Sequence, residues 1–464
     1  MNQTHPSLKG QVAVDRHHAH VIESASPEEI QSLQVQLLKR QLGYLDEKSP
    51  FHRRKLNDFG RPDRSFKSLA DLPGIPFTVK DEIRESLSKA PPLGQHIAAD
   101  PIRLVQWHCS SGTTGRPSYV GLTAADLADW VEIQRRTLWA AGIRPGDRVL
   151  QAFGMSRAWV GGLPIVQGLQ AVGASVIPTG AEPGTQWLLN VIRDLQPNAM
   201  TGTPNFALYL GEQAAAVLAC AASELSIRKI AVGGEPGGGI PSLRDTADRL
   251  WNAEMREMMG GGDVCPVLWG DCEERTGMHF MAPDSVLFEI ISLDDQSPLP
   301  IEEGVVGELV YTHLKREATP MLRLRHGDIV RIVGTNCSCG RTSPKIRCFG
   351  RTDDLFIVKG VNVYPSAIQD LIMAMRPATS GAVTIVKTAP EYAIAGPLQI
   401  RVERGEATPV EGGPELIVRI ERTIYEMLRC RVTVELLEPG SLPRPGREKV
   451  ALVEKPYLQK KRKG

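Results

Sequence analysis

The sequence predicts an α/β protein with a large N-terminal domain, built on mainly parallel sheets plus a β meander, and a small α+β C-terminal domain. The chain has 464 residues, whereas a single hydrophobic core stops growing at about 250–300 residues. Helical and strand-like segments alternate from residue 125 to residue 232, which is typical of βαβ units and a parallel sheet. After residue 284 short strand-like runs follow one another, and the residues after 352 again mix both types.

Hydrophobic periodicity predicts the individual elements along the chain. The first helix is predicted over residues 27–43, where Ile30, Leu33 and Leu37 recur at helical spacing and acidic residues occupy the first turn. Further helices are predicted over residues 126–141, 164–172, 187–194, 205–223, 365–375 and 415–428. Strands are predicted over residues 148–153, 174–177, 229–232, 286–291, 307–311, 328–332, 382–386, 398–402 and 432–436.

Composition and charge exclude several function classes. The formal net charge is +1, so no global field draws the chain to nucleic acid or to an acidic membrane. No apolar run approaches the roughly 20 residues that span a bilayer, and the first 24 residues lack the apolar stretch of a secretory signal. A cytoplasmic location is therefore expected, where the eight cysteines would be reduced thiols or metal ligands.

The most informative segment is a run of small and hydroxylated residues between two apolar stretches. It comprises Ser110, Ser111, Gly112, Thr113, Thr114 and Gly115. Glycine lets backbone N–H groups approach phosphate oxygens, hydroxyls donate further hydrogen bonds, and the following Arg116 adds positive charge. The segment is not a Walker loop, because the required spacing and lysine are absent. It predicts a phosphate cradle, with a flexible surface turn as the alternative.

This segment resembles the phosphate-binding signature of the adenylate-forming superfamily of acyl-CoA synthetases and adenylation domains. Within it the chain looks like the phenylacetate–CoA ligase branch, and the resemblance runs from residues 49–52 and 71–80 to the C-terminus. It implies ATP-dependent activation of a carboxylic acid to an acyl-adenylate, then transfer to CoA, giving a thioester, AMP and pyrophosphate. It also implies an ATP- and acyl-binding domain over residues 1–352, a mobile catalytic lid over residues 353–464, and a homodimer.

Further motifs follow in the family's order, and the resemblance implies a role for each. The segment expected to lie against adenine comprises Gly234, Glu235 and Pro236. Asp328 would accept hydrogen bonds from both ribose hydroxyls. Arg351 would reach ribose or phosphate, and Asp353 would be the hinge between the domains. Residues 201–205 resemble a turn near the acyl pocket, and residues 359–364 would dock near the active site after the lid rotates.

Residues 259–263 depart from the family pattern Tyr-Gly-x-Thr-Glu, because they read Met-Gly-Gly-Gly-Asp. The acid of that motif binds Mg²⁺, and Asp263 can supply a hard oxygen with a shorter reach than glutamate. Met259 would contact the acyl group in place of the aromatic residue. Gly260 and Gly261 are expected at the nucleotide, and the three consecutive glycines should remove side-chain volume from the pocket wall.

An aromatic acid is expected on resemblance alone. The segment 153–162 looks like the wall of the family's aryl pocket. Trp159 could stack on a flat ring, while Gly161 and Gly162 could form a slot for that ring. The alternative for Trp159 is ordinary packing in the core.

The family carries its catalytic lysine near the C-terminus, after Leu-Pro-Arg and a short loop ending in Gly-Lys. The corresponding text here is LPRPGREK over residues 442–449. Lys449 is the predicted catalytic residue, which requires a small shift in spacing, and Arg447 is the alternative. The lysine would bridge the substrate carboxylate and the α-phosphate, and Asp263 and Arg351 would complete the catalytic set.

Four residues resemble a structural zinc set present in some members of this branch. They are Cys272, His279, Cys337 and Cys339. Three thiolates and one imidazole form a closed tetrahedral site, which leaves no open position for water. The alternatives are incidental thiols with a surface histidine, or a set in which Cys265 replaces one ligand.

Two other functions stay open at this point. The enzyme could pass the acyl group to a carrier-protein thiol or to an amine instead of CoA. A chain of another class would bind nucleotide as a sensor with decayed catalysis, which the altered residues 259–263 and the uncertain lysine would support.

Overall fold

The computed structural model describes residues 17–57, 66–109, 118–358, 361–389, 391–394, 396–443 and 450–460. The α-helices are α1 Pro27–Lys48, α2 Pro50–Leu56, α3 Lys80–Lys89, α4 Ala124–Ala140, α5 Leu163–Val172, α6 Thr185–Leu195, α7 Pro204–Glu212, α8 Ala214–Leu218, α9 Pro241–Trp251, α10 Pro365–Ala374, α11 Gly413–Leu428 and α12 Pro456–Lys460. Among these helices none is both long and apolar enough to cross a lipid bilayer.

The β-strands complete the element order. They are β1 Leu104–Cys109, β2 Tyr119–Thr123, β3 Arg148–Gln151, β4 Ser175–Pro178, β5 Ala199–Gly202, β6 Lys229–Gly233, β7 Glu254–Gly261, β8 Cys265–Asp271, β9 Met278–Phe280, β10 Val286–Ile291, β11 Pro298–Leu299, β12 Val306–His313, β13 Leu324–Gly334, β14 Lys345–Arg351, β15 Phe356–Val358, β16 Val361–Val363, β17 Thr379–Val386, β18 Ala393–Ile394, β19 Leu398–Arg404, β20 Val432–Leu437 and β21 Val453–Glu454. The predicted strands are all present, within a few residues of their expected bounds.

Twelve strands form one continuous mixed sheet in the order β11-β10-β12-β13-β14-β9-β8-β7-β6-β5-β3-β4. Strands β4, β3, β5, β6 and β7 run parallel, as expected where helices provide the crossovers. From β7 onward each neighbouring pair is antiparallel. The predicted parallel region and the predicted meander are therefore two halves of the same sheet.

Helices cover both faces of the parallel half. Successive residues of a strand point to opposite faces, and the two faces have separate cores. Val149 and Ala231 pack on the face covered by α4 and α5. Leu150 and Ile230 pack on the other face with α6, α7 and α9. Burial on both sides explains why these strands read as continuous apolar runs.

The helix predicted over residues 205–223 is wrong in its extent, because α7 and α8 are separate. Gly211 near the end of α7 lies against Trp251, where a Cβ atom would be 2.6 Å from the indole nitrogen. Gln213 separates the helices, and α8 ends at Leu218, before Ala219, whose φ is 57°. The apolar periodicity correctly predicted helical structure in this range, but not the break between the two helices, near which α7 packs closely on α9.

The residues after 352 have a core of their own. Ile420 and Ile424 of α11 pack with Ile368 of α10 and with Ile385 and Ile400 of the small sheets. Those sheets have the orders β16-β15-β18 and β20-β19-β17-β21. The α+β character of this part is confirmed, and a domain boundary between residues 352 and 353 stays a prediction.

Candidate active site

Segments at the ends of four neighbouring parallel strands contain the predicted adenine, magnesium and acyl residues. The strands β3, β5, β6 and β7 lead into residues 153–162, 201–205, 233–236 and 259–263, respectively. The carboxyl ends of parallel strands meet at one edge of a sheet, where open α/β sheets bind ligands. The topology therefore brings the predicted adenine, magnesium and acyl segments to the same edge.

Asp328 of β13 is a buried carboxylate with two cationic or polar partners. His326 Nδ1 lies 2.5 Å from its Oδ2, and Arg351 Nη1 donates to its Oδ1 over 3.2 Å. Burial by itself would raise the pKa of this carboxyl, but His326, Arg351 and Lys80 hold the pKa below its ordinary value. Gly327 permits the approach, because its φ is 89° and a Cβ atom would lie 2.9 Å from Arg351 Nη2. The charged carboxylate suits a diol such as ribose.

Lys80 is a site residue that the sequence reasoning did not single out. Thr78, two residues earlier, exchanges two backbone hydrogen bonds of 2.9 Å with residues at the start of β13. Burial lowers the pKa of Lys80, and the charge of Arg351 lowers it further. The carboxylates of Asp263 and Asp328 raise it, but not enough to restore its ordinary value. This lysine therefore interacts electrostatically with both the predicted magnesium ligand and the predicted ribose ligand. Its signal in the sequence was its place in the family-like segment 71–80.

Gly260 and Gly261 do not open space in the pocket wall, so the expectation is wrong for these two glycines. A Cβ atom at Gly261 would lie 2.0 Å from Nε2 of His326, and one at Gly260 would lie 2.3 Å from the carbonyl oxygen of Pro266. The space that Gly261 vacates is occupied by the imidazole of His326, which also contacts Tyr311 at a ring distance of 5.6 Å. The ring of His326 therefore packs directly on the backbone of Gly261.

Trp159 occupies the slot that was expected for the substrate ring. Its ring lies 6.1 Å from that of Phe153, and a Cβ atom at Gly161 would lie 2.4 Å from the indole. Trp159 therefore fills the predicted slot, because its indole packs on the backbone of Gly161, which has no side chain. Gly162 is the residue before α5. The indole is partly buried against two cores of the N-terminal region, so both interpretations of Trp159 keep support.

Glu182 fixes the segment that carries Trp159, and the sequence reasoning missed it. Its Oε1 accepts hydrogen bonds from the backbone N–H groups of Met155 and Ser156, at 2.7 Å and 2.8 Å. The next two residues, Arg157 and Ala158, have φ values of 60° and 52°, which side chains rarely adopt without support. The carboxylate thus stabilises a strained loop at the edge of the acyl region.

Glu235 of the adenine segment is tied to the loop after β5. Its Oε1 accepts from the backbone N–H of Asn205 at 3.2 Å and from the side-chain amide of Asn205 at 2.9 Å. Gly234 has a φ of 85°, so the turn needs a residue without a Cβ atom. Pro236 follows in the same turn. Two of the predicted ligand-binding loops are therefore held in a fixed relation.

Asp353, the predicted hinge, lies between the nucleotide residues and the C-terminal part. Arg351 Nε donates to its Oδ1 over 3.0 Å, and Lys455 Nζ lies 3.2 Å from its Oδ2. The buried Lys387 donates to the backbone oxygen of Asp353 over 2.9 Å. Arg351 therefore connects the hinge carboxylate with Asp328.

The four predicted metal ligands come together, with their ligand atoms all within 4.8 Å of one another. Cys272 Sγ lies 3.7 Å from Cys337 Sγ, and Cys339 Sγ lies 3.4 Å from His279 Nε2. The edges of a tetrahedron with zinc–sulfur bonds of about 2.3 Å are roughly 3.8 Å long. His279 Nδ1 donates to the backbone oxygen of Ser343 over 3.0 Å, which leaves Nε2 for a metal. The residues fit a structural zinc ion, and Cys265 is not among them.

Several predicted residues lie outside the part of the chain that the structure describes. They are the phosphate loop Ser110, Ser111, Gly112, Thr113, Thr114 and Gly115, the segment 359–360, Arg447 and Lys449. The loop is bracketed by β1 and β2, which pair antiparallel as a hairpin. The roles predicted for these residues stay predictions.

A comparison with protein families decides the identity of the chain. The family model described as AMP-binding enzyme matches residues 40–313, which is more than half of the chain. A second model, described as AMP-binding enzyme C-terminal domain, matches residues 360–455. The chain belongs to the adenylate-forming, AMP-binding enzyme family. It is an AMP-forming acid–CoA ligase, for which ATP and CoA are the typical substrates of the family.

Two relatives of known activity align with nearly the whole length of the ligase. A phenylacetate-coenzyme A ligase of Thermus thermophilus is 33% identical over 448 residues, covering 91% of this chain and 96% of the relative. A phenylacetate-coenzyme A ligase of Escherichia coli is 31% identical over 434 residues, covering 91% and 94%. The resemblance inferred from the motifs is thereby confirmed.

Solved structures of one relative indicate how the two parts of the ligase are arranged. A 2-hydroxyisobutyryl-CoA ligase in its postadenylation state, with 2-HIB-AMP, has a TM-score of 0.87, 27% identity, and coverage of 99% of this chain and 97% of that chain. The same protein with 2-HIB-AMP and CoA in the thioesterification state has a TM-score of 0.70, 28% identity, and coverage of 99% and 98%. The ligase is thus built like the postadenylation form.

Proposed function

We propose that the ligase activates an aromatic carboxylic acid with ATP and transfers the acyl group to CoA, forming an aryl-CoA thioester, AMP and pyrophosphate. The observation that carries the nucleotide part is the buried Asp328, which is held by His326 and Arg351, with the ring of His326 packed against Gly261 at the end of β7. The aromatic acid is supported by relatives that are phenylacetate-coenzyme A ligases and 31–33% identical.

In the first half-reaction the substrate carboxylate attacks the α-phosphate of ATP, and pyrophosphate leaves. The residues contribute chiefly by positioning and by neutralising charge. The loop 110–115 would hold the leaving phosphates, Asp263 would bind Mg²⁺, and Lys80 would add a cation beside them. Asp328 would accept from the ribose, and Lys449 would bridge the carboxylate and the α-phosphate.

In the second half-reaction the thiol of CoA attacks the acyl carbon, and AMP leaves. This step needs different neighbours, so we propose that residues 353–464 rotate as a unit about Asp353. Rotation would remove Lys449 and bring in residues 359–364. The two states of the 2-hydroxyisobutyryl-CoA ligase support this, because the ligase superposes on them with TM-scores of 0.87 and 0.70.

We propose that the Cys/His set is a zinc site with a structural role. The holding residues are Cys272, His279, Cys337 and Cys339, whose ligand atoms lie within 4.8 Å of one another. A zinc ion bound there would join the turn after β8 to the turn before β14, and contribute directly to folding. All four positions of a tetrahedral ion would be filled, so no catalytic step is assigned to it.

A second candidate substrate is a small 2-hydroxy acid. The specific observation is the TM-score of 0.87 with a 2-hydroxyisobutyryl-CoA ligase, together with the indole of Trp159 filling the space at Gly161. A filled slot favours a small acyl group over a flat ring. A carrier-protein thiol as acceptor is an outcome that the same experiment separates.

The test is a thioester assay with a panel of acids. Phenylacetate, benzoate and 2-hydroxyisobutyrate are each supplied with ATP, Mg²⁺ and CoA, and AMP and acyl-CoA are quantified by chromatography. The proposal predicts the highest kcat/KM for an aryl acid and AMP release that depends on CoA. A preference for the hydroxy acid would favour the second candidate. AMP release without any CoA thioester would contradict CoA as the acceptor.

A further inference from the structure

The first turn of α9 is capped by a residue from the C-terminal part of the chain. The residue before this helix is Ile240, so no side chain of its own accepts from the helix N-terminus. Asp370 of α10 supplies the missing acceptor. Its Oδ1 accepts from Ser242 Oγ over 2.5 Å and from the backbone N–H of Ser242 over 3.3 Å. A carboxylate at this end of a helix also interacts favourably with the helix dipole.

Two more polar contacts connect the same regions. Arg376 Nη2 lies 2.6 Å from Glu212 Oε1 at the end of α7. The side-chain amide of Gln369 donates to Asn205 Oδ1 over 3.4 Å. Asn205 in turn donates to Glu235 of the adenine segment. The row of contacts therefore runs from the C-terminal part to a loop that faces the nucleotide site.

These contacts belong to one domain arrangement and would be lost in another. Ser242 and Glu212 lie in the residues matched by the AMP-binding enzyme model, 40–313, whereas Asp370 and Arg376 lie in those matched by its C-terminal domain, 360–455. A rotation of the C-terminal domain breaks all of them together. Water can then solvate the first turn of α9, so the helix does not need to unfold.

We propose that Asp370 and Arg376 are positioning residues that hold the C-terminal domain in the arrangement described here, which resembles the postadenylation form of the 2-hydroxyisobutyryl-CoA ligase and precedes the rotation for thioester formation. Asp370 caps α9, and Arg376 pairs with Glu212. The strength of these contacts sets the relative populations of the two domain arrangements, one for each half-reaction. The inference rests on the domain rotation in the proposed function. It adds the residues that favour one state.

The first test is hydrogen–deuterium exchange of the whole ligase, which needs no turnover. Arg376→Glu places two carboxylates together and should release the domain. Peptides covering the start of α9 should then exchange about three- to tenfold faster, since a cap and a partly exposed ion pair are both lost. The double variant Glu212→Arg with Arg376→Glu restores an opposite-charge pair and should return exchange to the parental rate. Arg419→Glu, on an exposed position of α11, is the matched control.

The second test separates positioning from general damage. Arg376→Glu and Asp370→Ala should lower ATP–pyrophosphate exchange about three- to tenfold, while thioester formation from supplied acyl-adenylate and CoA stays within about twofold or rises. Asp370→Asn, which keeps an acceptor, should have a smaller effect. Unchanged exchange at α9 in Arg376→Glu, equal loss of both half-reactions, or no rescue in the charge-swapped double variant would each overturn the inference. Failure of the parental chain to adenylate would contradict the proposed function and leave the result at α9 standing.

Discussion

The substitution Asp328→Asn tests the nucleotide site most sharply, because it keeps the size of the side chain and removes its charge. In the structure one carboxylate oxygen faces His326 at 2.5 Å and the other faces Arg351 at 3.2 Å. An asparagine keeps one acceptor and turns the other into a donor. One ribose hydroxyl of ATP would then lose its acceptor, and the other would donate to a neutral oxygen instead of a charged one. Together these losses cost about 3 kcal/mol, which is roughly a 150-fold loss in kcat/KM for ATP.

The assay is ATP–pyrophosphate exchange at saturating acid, measured from pH 6 to pH 8. Neighbouring cations hold the pKa of Asp328 below its ordinary value against the effect of burial. The group is therefore charged throughout this range and would take a proton only in strong acid, so the loss should not vary with pH. The exposed Asp294→Asn is the control of the same chemistry. A change of less than about threefold in a folded variant, or a loss that disappears at one end of the pH range, would refute the reasoning.

Three further predictions concern the lid, the metal set and acid stability. Lys449→Ala should abolish pyrophosphate exchange yet spare thioester formation from supplied acyl-adenylate, because the lysine is assigned to the first half-reaction alone; Arg447→Ala tests the alternative residue and should keep pyrophosphate exchange, and equal loss of both activities in Lys449→Ala would contradict the assignment. Cys337→Ser should reduce bound zinc, measured by atomic emission, from about one ion per chain to well below one and lower the melting temperature; an unchanged metal content would contradict the site. Burial above all, followed by His96 and Lys55, lowers the pKa of His52 to about 3. The unfolded chain therefore takes up that proton first, so this contribution to stability is complete above pH 6.5 and declines as the pH falls towards 3. Urea titrations should show about 2 kcal/mol lost between pH 7 and pH 5 and a smaller loss in His52→Gln, whereas a parental stability independent of pH would speak against it.

Elements with a clear local period were predictable from the sequence. β10 agrees with its predicted range, 286–291, residue for residue, because its apolar run is bounded by turn residues on both sides. The start of α4 differs from the prediction by two residues, since the cap at Thr123 decides it. Long-range packing was not predictable, such as the contact of Gly211 with Trp251 near the end of α7, and residues 205–223 form two helices separated at Gln213.

The same difference between local sequence signals and long-range contacts applies to the site residues. The metal set was predictable only through its resemblance to a zinc set in some members of this branch, because a Cys-x-Cys pair does not by itself identify its distant partners. Lys80 and Glu182 were missed, since their roles depend on contacts with strands and loops that are distant in sequence. The glycines near residue 261 were misjudged for the same reason, as the ring that fills their space comes from His326.

The central claim is that one edge of the large sheet binds ATP while the C-terminal domain completes the site. A crystal structure of the ligase with a non-hydrolysable ATP analogue and Mg²⁺ tests it most directly. We expect the phosphates against residues 110–115, the ribose hydroxyls within hydrogen-bond distance of Asp328, and the metal ion at Asp263. A nucleotide bound elsewhere, with Asp328 still paired only to His326 and Arg351, would contradict it.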